Sequence, residues 1–162
     1  MLNVARKRAT KLSLDGSFLL ADAEALPFSK NSFDTVISLL STCTFPNPVA
    51  VLREMKRVCK SEGKILLLEH GRSDRDWPAR FQDRTADRLA KRLGCHWNRE
   101  PLELVQKGNL KVKEARRVFF GVFHLIEAGP DQMIGDARIE LDSPYHPNQL
   151  DEIARRAQFT EQ

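Results

Sequence analysis

The chain has 162 residues, of which 41% are hydrophobic and 30% charged, and its net charge is +4. That balance excludes a disordered polar tail, and no apolar run approaches the ~20 residues that span a bilayer. Three cysteines, Cys43, Cys59 and Cys95, are odd in number and far apart, which excludes a disulfide scaffold and suits a reducing intracellular compartment, cytoplasmic or mitochondrial.

Met1 to Leu14 carries Arg6, Lys7, Arg8 and Lys11 with no acid. Apolar residues at Leu2, Ala5, Ala9 and Leu12 predict an amphipathic helix over about 2–13; a mitochondrial presequence is the other reading of this composition, but serine is scarce. Asp15-Gly16 marks a turn, and Ser17 to Ala21 reads as a short apolar strand. A loop from Asp22 to Ser32 leads into a second strand, Phe33 to Leu40, apolar on both faces as a buried parallel strand is. Pro46 and Pro48 open a helix in which Val49, Leu52, Met55 and Cys59 recur at helical spacing, with Gly63 as its stop. Lys64 to Glu69 is a third strand, with Ile65 to Leu68 expected to be fully buried.

A polar helix over about 77–93 ends at Gly94, and a short one starts at Pro101 and stops at Gly108. Two strands, Lys111 to Phe119 and Val122 to Ala128, close the pattern as a hairpin. Strands and helices in alternation predict an α/β domain with a mostly parallel sheet and a carboxyl-terminal antiparallel hairpin. From Glu127 onward eight acids face three arginines, so residues 129–162 read as an acidic tail behind a domain of residues 1–128. Within the tail, Leu150, Ile153, Ala154 and Ala157 form one helical stripe.

The basic excess is densest from Arg72 to Arg92, where arginines alternate with Asp74, Asp76, Asp83 and Asp87 at three to four residues. That spacing suits a solvated helix with internal ion pairs better than a phosphate-binding stripe, and no nucleic-acid-binding motif accompanies it. No nucleic-acid partner is expected.

The chemically informative segment is Asp22-Ala23-Glu24-Ala25-Leu26-Pro27-Phe28, followed by Ser32-Phe33-Asp34-Thr35-Val36. With Leu52-Arg53-Glu54-Met55-Lys56-Arg57-Val58 and Gly63-Lys64-Ile65-Leu66-Leu67-Leu68-Glu69-His70, it resembles class I S-adenosylmethionine-dependent methyltransferases. The resemblance is to the type 11 group, which includes quinone-biosynthesis C-methyltransferases, and it extends over residues 1–128. It implies a Rossmann-like fold with S-adenosylmethionine as methyl donor. By the resemblance, Asp22 accepts a hydrogen bond from the adenine amino group, and the Ala23 N–H meets a ring nitrogen. Leu39 and Leu40, at the end of a strand, wall the donor. An acid at the carboxyl edge of a parallel sheet is also where ligands bind in open α/β folds.

The substrate side is expected beyond that edge. His70 ends a strand and is the one candidate base, although methyl transfer depends mainly on in-line positioning; a structural histidine is the competing role. His96 and Trp97 follow, with Trp97 suited to an apolar acceptor pocket. Cys95-His96 has no second Cys/His pair at ligand spacing, so no metal is expected.

One part of the family's pattern is missing. The sequence contains no G-x-G, and Met1 to Leu14 already resembles the helix after the family's second strand. The resemblance therefore implies a partial fold, lacking the first two strands and the glycine-rich donor loop. It leaves Ser17–Ala21 without neighbours and one edge of Phe33–Leu40 bare, where a partner chain would fit. Two functions follow. The first is methylation of a small-molecule or lipid-like acceptor, with this chain as an amino-terminally truncated fragment of the enzyme. The alternative is a catalytically inactive methyltransferase-like module that binds another protein.

Overall fold

A computed structural model of the chain describes residues 2–130 and the strand at 138–140. The elements run α1 (Leu2–Lys11), β1 (Phe33–Leu39), α2 (Pro48–Val58), β2 (Cys59–His70), α3 (Asp76–Leu93), α4 (Pro101–Lys107), β3 (Lys111–Val118), β4 (Phe123–Gly129) and β5 (Arg138–Glu140). They build a single sheet in the order β1-β2-β4-β3-β5. β1 and β2 are parallel, from Thr35 opposite Lys64 to Leu39 opposite Leu68, because α2 carries the chain back between them. β4 is antiparallel to both β2 and β3, and β5 is parallel to β3.

The sheet is thus mixed rather than mostly parallel. Chain order explains it: the chain enters the sheet beyond β2 through the β3–β4 hairpin, and the returning strand β4 is the one that takes the place beside β2. The expected helical stripe at 150–157 lies outside the described residues.

Four other expectations are corrected. Residues 14–22 form no strand, and Leu19 and Leu20 are exposed; among the described residues β1 is paired with β2 alone. β1 is not buried on both faces: Ser38 is buried, but Ile37 and Leu39 are 58% and 62% exposed. In β2 the burial alternates, with Ile65 and Leu67 inward and Leu66 and Leu68 half-buried. Gly63 lies inside β2 and does not stop α2, which ends at Val58. A Cβ there would come within 2.8 Å of Asp34 O and 2.6 Å of Cys59 Sγ, so it is close approach of β1 and not a helix end that suits glycine.

Local chemistry fixes the helices much as expected. Asn47 caps α2 by accepting the Ala50 N–H at 3.1 Å, and Pro48 occupies the first turn, where its missing donor costs nothing. Val51, Leu52, Met55 and Val58 then face inward at helical spacing. Val51, Leu52 and Met55 form one core with Ile65 and Leu67 of β2, Val105 of α4, and Ala115, Ile126 and Ala128 of the hairpin strands. Burying each larger side chain contributes on the order of 1.5–3 kcal/mol, so this face holds the sheet together. Gly94 ends α3 in the left-handed conformation at φ 67°. α1 has no buried residue, and Arg6 Nη2 donates to Phe18 O at 3.4 Å.

Candidate functional site

β1 and β2 are parallel and end together, at Leu39 and His70, so their carboxyl ends form one edge. Glu69 organises that edge. It is fully buried, and its carboxylate accepts the Ser38 hydroxyl at 2.6 Å and the N–H groups of Ser41 and Thr42 at 2.9 and 3.1 Å. These bonds offset much of the cost of burying a charge, and they set the course of the chain leaving β1. Leu40, at φ 50°, makes the turn into that segment, and its N–H still donates to Leu68 O at 2.8 Å.

The segment after α3 closes over the same place. Arg99 Nη1 donates to Thr42 O at 2.6 Å and to Phe45 O at 2.9 Å, and the His96 N–H donates to Cys43 O at 2.9 Å. Burial of the guanidinium lowers the Arg99 pKa from its ordinary value. Gln82 of α3 ties the next turn down: its amide accepts the Ser73 N–H and donates to Gly71 O and Trp97 O.

The second half of the site is the loop that leads into β1, from Asp22 to Ser32. Asp22 is exposed, and its Oδ1 accepts the Glu24 N–H at 2.9 Å. Ala23 is half-buried and packs on the core. The loop is held by α2, where Glu54 accepts the Leu26 N–H at 2.9 Å and Arg57 donates to Leu26 O and Phe28 O. Glu54 and Arg57 also pair with each other at 2.7 Å, and the Arg57 hydrogen bonds hold the Glu54 carboxyl below its usual pKa. Between this loop, α2 and β1 runs an apolar groove of about 390 Å³, with Ala23, Val36, Leu39, Ser41 and Met55 in its lining.

The expected site residues therefore fall into groups. Ala23 and Leu39 share the groove, with Asp22 preceding Ala23 at the surface. Leu40 is the turn residue beside them. His70 lies 3.6 Å from Cys95 through Nε2, while its Nδ1 is buried without a hydrogen-bond partner. Burial pushes the His70 pKa down, against an opposing pull from Glu69. His96 is exposed, with its backbone on Cys43. Trp97 is half-buried, and its Nε1 donates to Gln82 O at 3.2 Å with the ring edge-on to Phe81.

Glu69, Arg99 and Cys43 are site residues that sequence reasoning passes over. Glu69 stands next to His70 at the end of an apolar strand, and an acid in that position was the available signal. Nothing in the chain marks the partners of Arg99 or Cys43, which are main-chain groups and side chains of distant segments.

The family model described as "Methyltransferase domain" matches residues 1–67. Solved methyltransferases share the fold: one from Methanosarcina mazei superposes with a TM-score of 0.61 at 16% identity, covering 79% of this chain and 76% of that one. Over residues 1–67 the chain is thus similar to methyltransferases, and its fold is that of solved members of that class.

Three curated methyltransferases are similar to part of the chain. A mitochondrial methyltransferase of Saccharomyces cerevisiae is 31% identical over 96 residues, which are 59% of this chain and 20% of the relative. A ubiquinone/menaquinone biosynthesis C-methyltransferase of Blochmanniella pennsylvanica is 38% identical over 73 residues, 44% of this chain and 29% of the relative. A phosphatidylethanolamine N-methyltransferase of Cereibacter sphaeroides is 31% identical over 98 residues, 59% of this chain and 48% of the relative. The matched region thus spans less than half the length of each. Among the described residues, no helix is long and apolar enough to cross a membrane.

Proposed function

We propose that these residues form the adenine-side and acceptor-side part of a methyltransferase that methylates a small-molecule or lipid-like acceptor. One observation carries the reading: a small residue, Ala23, and the strand-end Leu39 share an apolar groove, and a surface carboxylate, Asp22, precedes Ala23. An exposed acceptor beside a close-approach backbone fits an adenine edge, and an apolar wall fits its ring. S-adenosylmethionine, when bound, supplies a methyl group activated on a sulfonium. The protein's own task is then positioning, since in-line placement of the acceptor supplies most of the acceleration. Glu69 and Arg99 fix the segment at 41–45 that would face the acceptor. His70, His96 and Trp97 stand on the acceptor side in this reading. A lipid-like acceptor is supported by the relatives named for quinone biosynthesis and for phosphatidylethanolamine. The mitochondrial relative and three free cysteines support a reducing compartment, cytoplasmic or mitochondrial.

The 162 residues hold no G-x-G segment, so the ribose and methionine ends of the donor have no glycine-rich cradle within them. We take residues 1–128 as the methyltransferase part and 129–162 as the acidic tail. Two or three absent charge-assisted hydrogen bonds correspond to ~3–9 kcal/mol, which puts donor affinity in a weak range. Calorimetric titration with S-adenosylmethionine at millimolar concentration tests the reading. Saturable heat is expected, weakened about ten- to a hundredfold in Asp22→Ala, the loss of one charge-assisted bond. Equal affinity in that variant removes the adenine assignment.

A second reading rests on the outer edge of β1, which is unpaired among the described residues and carries the exposed Ile37 and Leu39. It makes the chain a catalytically inactive module that binds a protein by strand addition. No heat with the donor at any concentration favours this reading over the first.

A further inference from the structure

Three soft donors converge at the carboxyl edge of the sheet. Cys43, His70 and Cys95 come from the segment after β1, the end of β2 and the segment after α3, and their ligand atoms all lie within 4.8 Å of one another. We propose that they bind a single zinc ion, with a fourth coordination position left for water or an added ligand.

The geometry is close to what the ion requires. Zn–S and Zn–N bonds of about 2.3 and 2.05 Å at a tetrahedral angle separate the two donor atoms by about 3.6 Å. Cys95 Sγ and His70 Nε2 stand 3.6 Å apart. Two thiolates at the same angle stand about 3.8 Å apart, so the whole cluster needs to contract by no more than about 1 Å. The backbone already gathers it, through His96 N–H on Cys43 O and Arg99 on the carbonyls of Thr42 and Phe45.

Charge favours a divalent ion here. Each thiol gives its proton to solvent as its sulfur–metal bond forms, and the neutral imidazole donates a lone pair. Two thiolates and Zn²⁺ sum to zero, so the loaded site carries no net charge into a region where Cys43 is 2% exposed. Metal binding releases the thiol protons, so it is tighter at higher pH. Thiolate and imidazole donors select zinc over the oxygen-seeking cations.

The chain purified under reducing conditions and stripped with a chelator is titrated with Co²⁺, then with Zn²⁺. One equivalent of cobalt is expected to give tetrahedral bands with thiolate charge transfer, and zinc to abolish them. Cys43→Ser, Cys95→Ser and His70→Ala each weaken binding at least about tenfold, the least that disturbing even a supporting residue costs. Cys59→Ala, which keeps all three donors, binds like the parent. A cobalt spectrum without thiolate character, or binding indifferent to all three substitutions, overturns the site. Reduced protein that takes up no metal also overturns it, with the Cys43–Cys95 pair then read as a dithiol. If a variant fails to fold, alkylation of the parent decides: zinc shields Cys95, and equal labelling with and without zinc refutes the proposal.

Discussion

Replacing Glu69 by glutamine takes one acceptor oxygen from a buried carboxylate that receives a hydroxyl and two backbone N–H groups. The new amide would face at least one of those donors with N–H of its own. Leaving a buried donor unmet costs about 1–3 kcal/mol, so Glu69→Gln is expected to lower the unfolding free energy by that amount, read as a fall in the urea midpoint. An unchanged midpoint would show that the segment at 41–45 is held without Glu69, by Arg99 and the His96 N–H. His124 presents the opposite case. It is buried on β4 with neither ring nitrogen hydrogen-bonded, 3.6 Å from Glu100. Burial, aided by the positive Arg117, holds its pKa at about 4 in the fold against 6.5 in the free side chain, with Asp74 opposing and His70 adding to the shift. As pH falls, the unfolded chain therefore binds the proton first. The stabilisation is complete above about pH 6.5 and is lost between there and about pH 4, by up to about 3 kcal/mol. Glu100, raised by burial, takes up a proton in the fold and offsets part of that loss. His124→Leu should flatten the profile of unfolding free energy over that window, and a slope equal to the parent's would exclude His124 as its source.

At the scale of elements, β1 is the exposed one. Its inner neighbour β2 satisfies one side of its ladder, while the other side and the side chains of Ile37 and Leu39 face outward. Such an edge pairs readily with a second strand. Ile37→Lys would set like charges opposite each other in a self-paired edge, which costs enough to weaken self-association by at least about tenfold. Sedimentation of the two proteins at matched concentration reads the effect; identical distributions would mean that β1 does not mediate association. Which elements form was largely legible. The spacing of Leu52, Met55 and their neighbours gave α2, Pro101 opened α4, and Gly121 marked the β3–β4 hairpin. Residues Ser17–Ala21 misled because apolar composition describes what a strand is made of and not whether a partner lies beside it. Gly63 misled for a related reason: in isolation it reads as a helix stop, and only the approach of Asp34 reveals its role in β2.

Over the whole molecule, the site was partly legible. Asp22, Ala23 and Leu39 sit in linear motifs, so a resemblance carried them. Cys43, His70 and Cys95 stand 27 and 25 residues apart on separate segments, and no spacing rule gathers them. Glu69 was hidden in the same way, because its three donors lie on the preceding strand and the turn beyond it.

The grip of α2 on the neighbouring loop bears on how this surface can vary. Glu54 and Arg57 hold Leu26 and Phe28 by their peptide groups, and the backbone of Asn31 and Ser32 donates to Arg57 O and Val58 O. None of those bonds reads a side chain of the loop. Ligand preference can therefore drift through substitutions in the loop while its path stays fixed, and the burden of invariance falls on two residues of a helix.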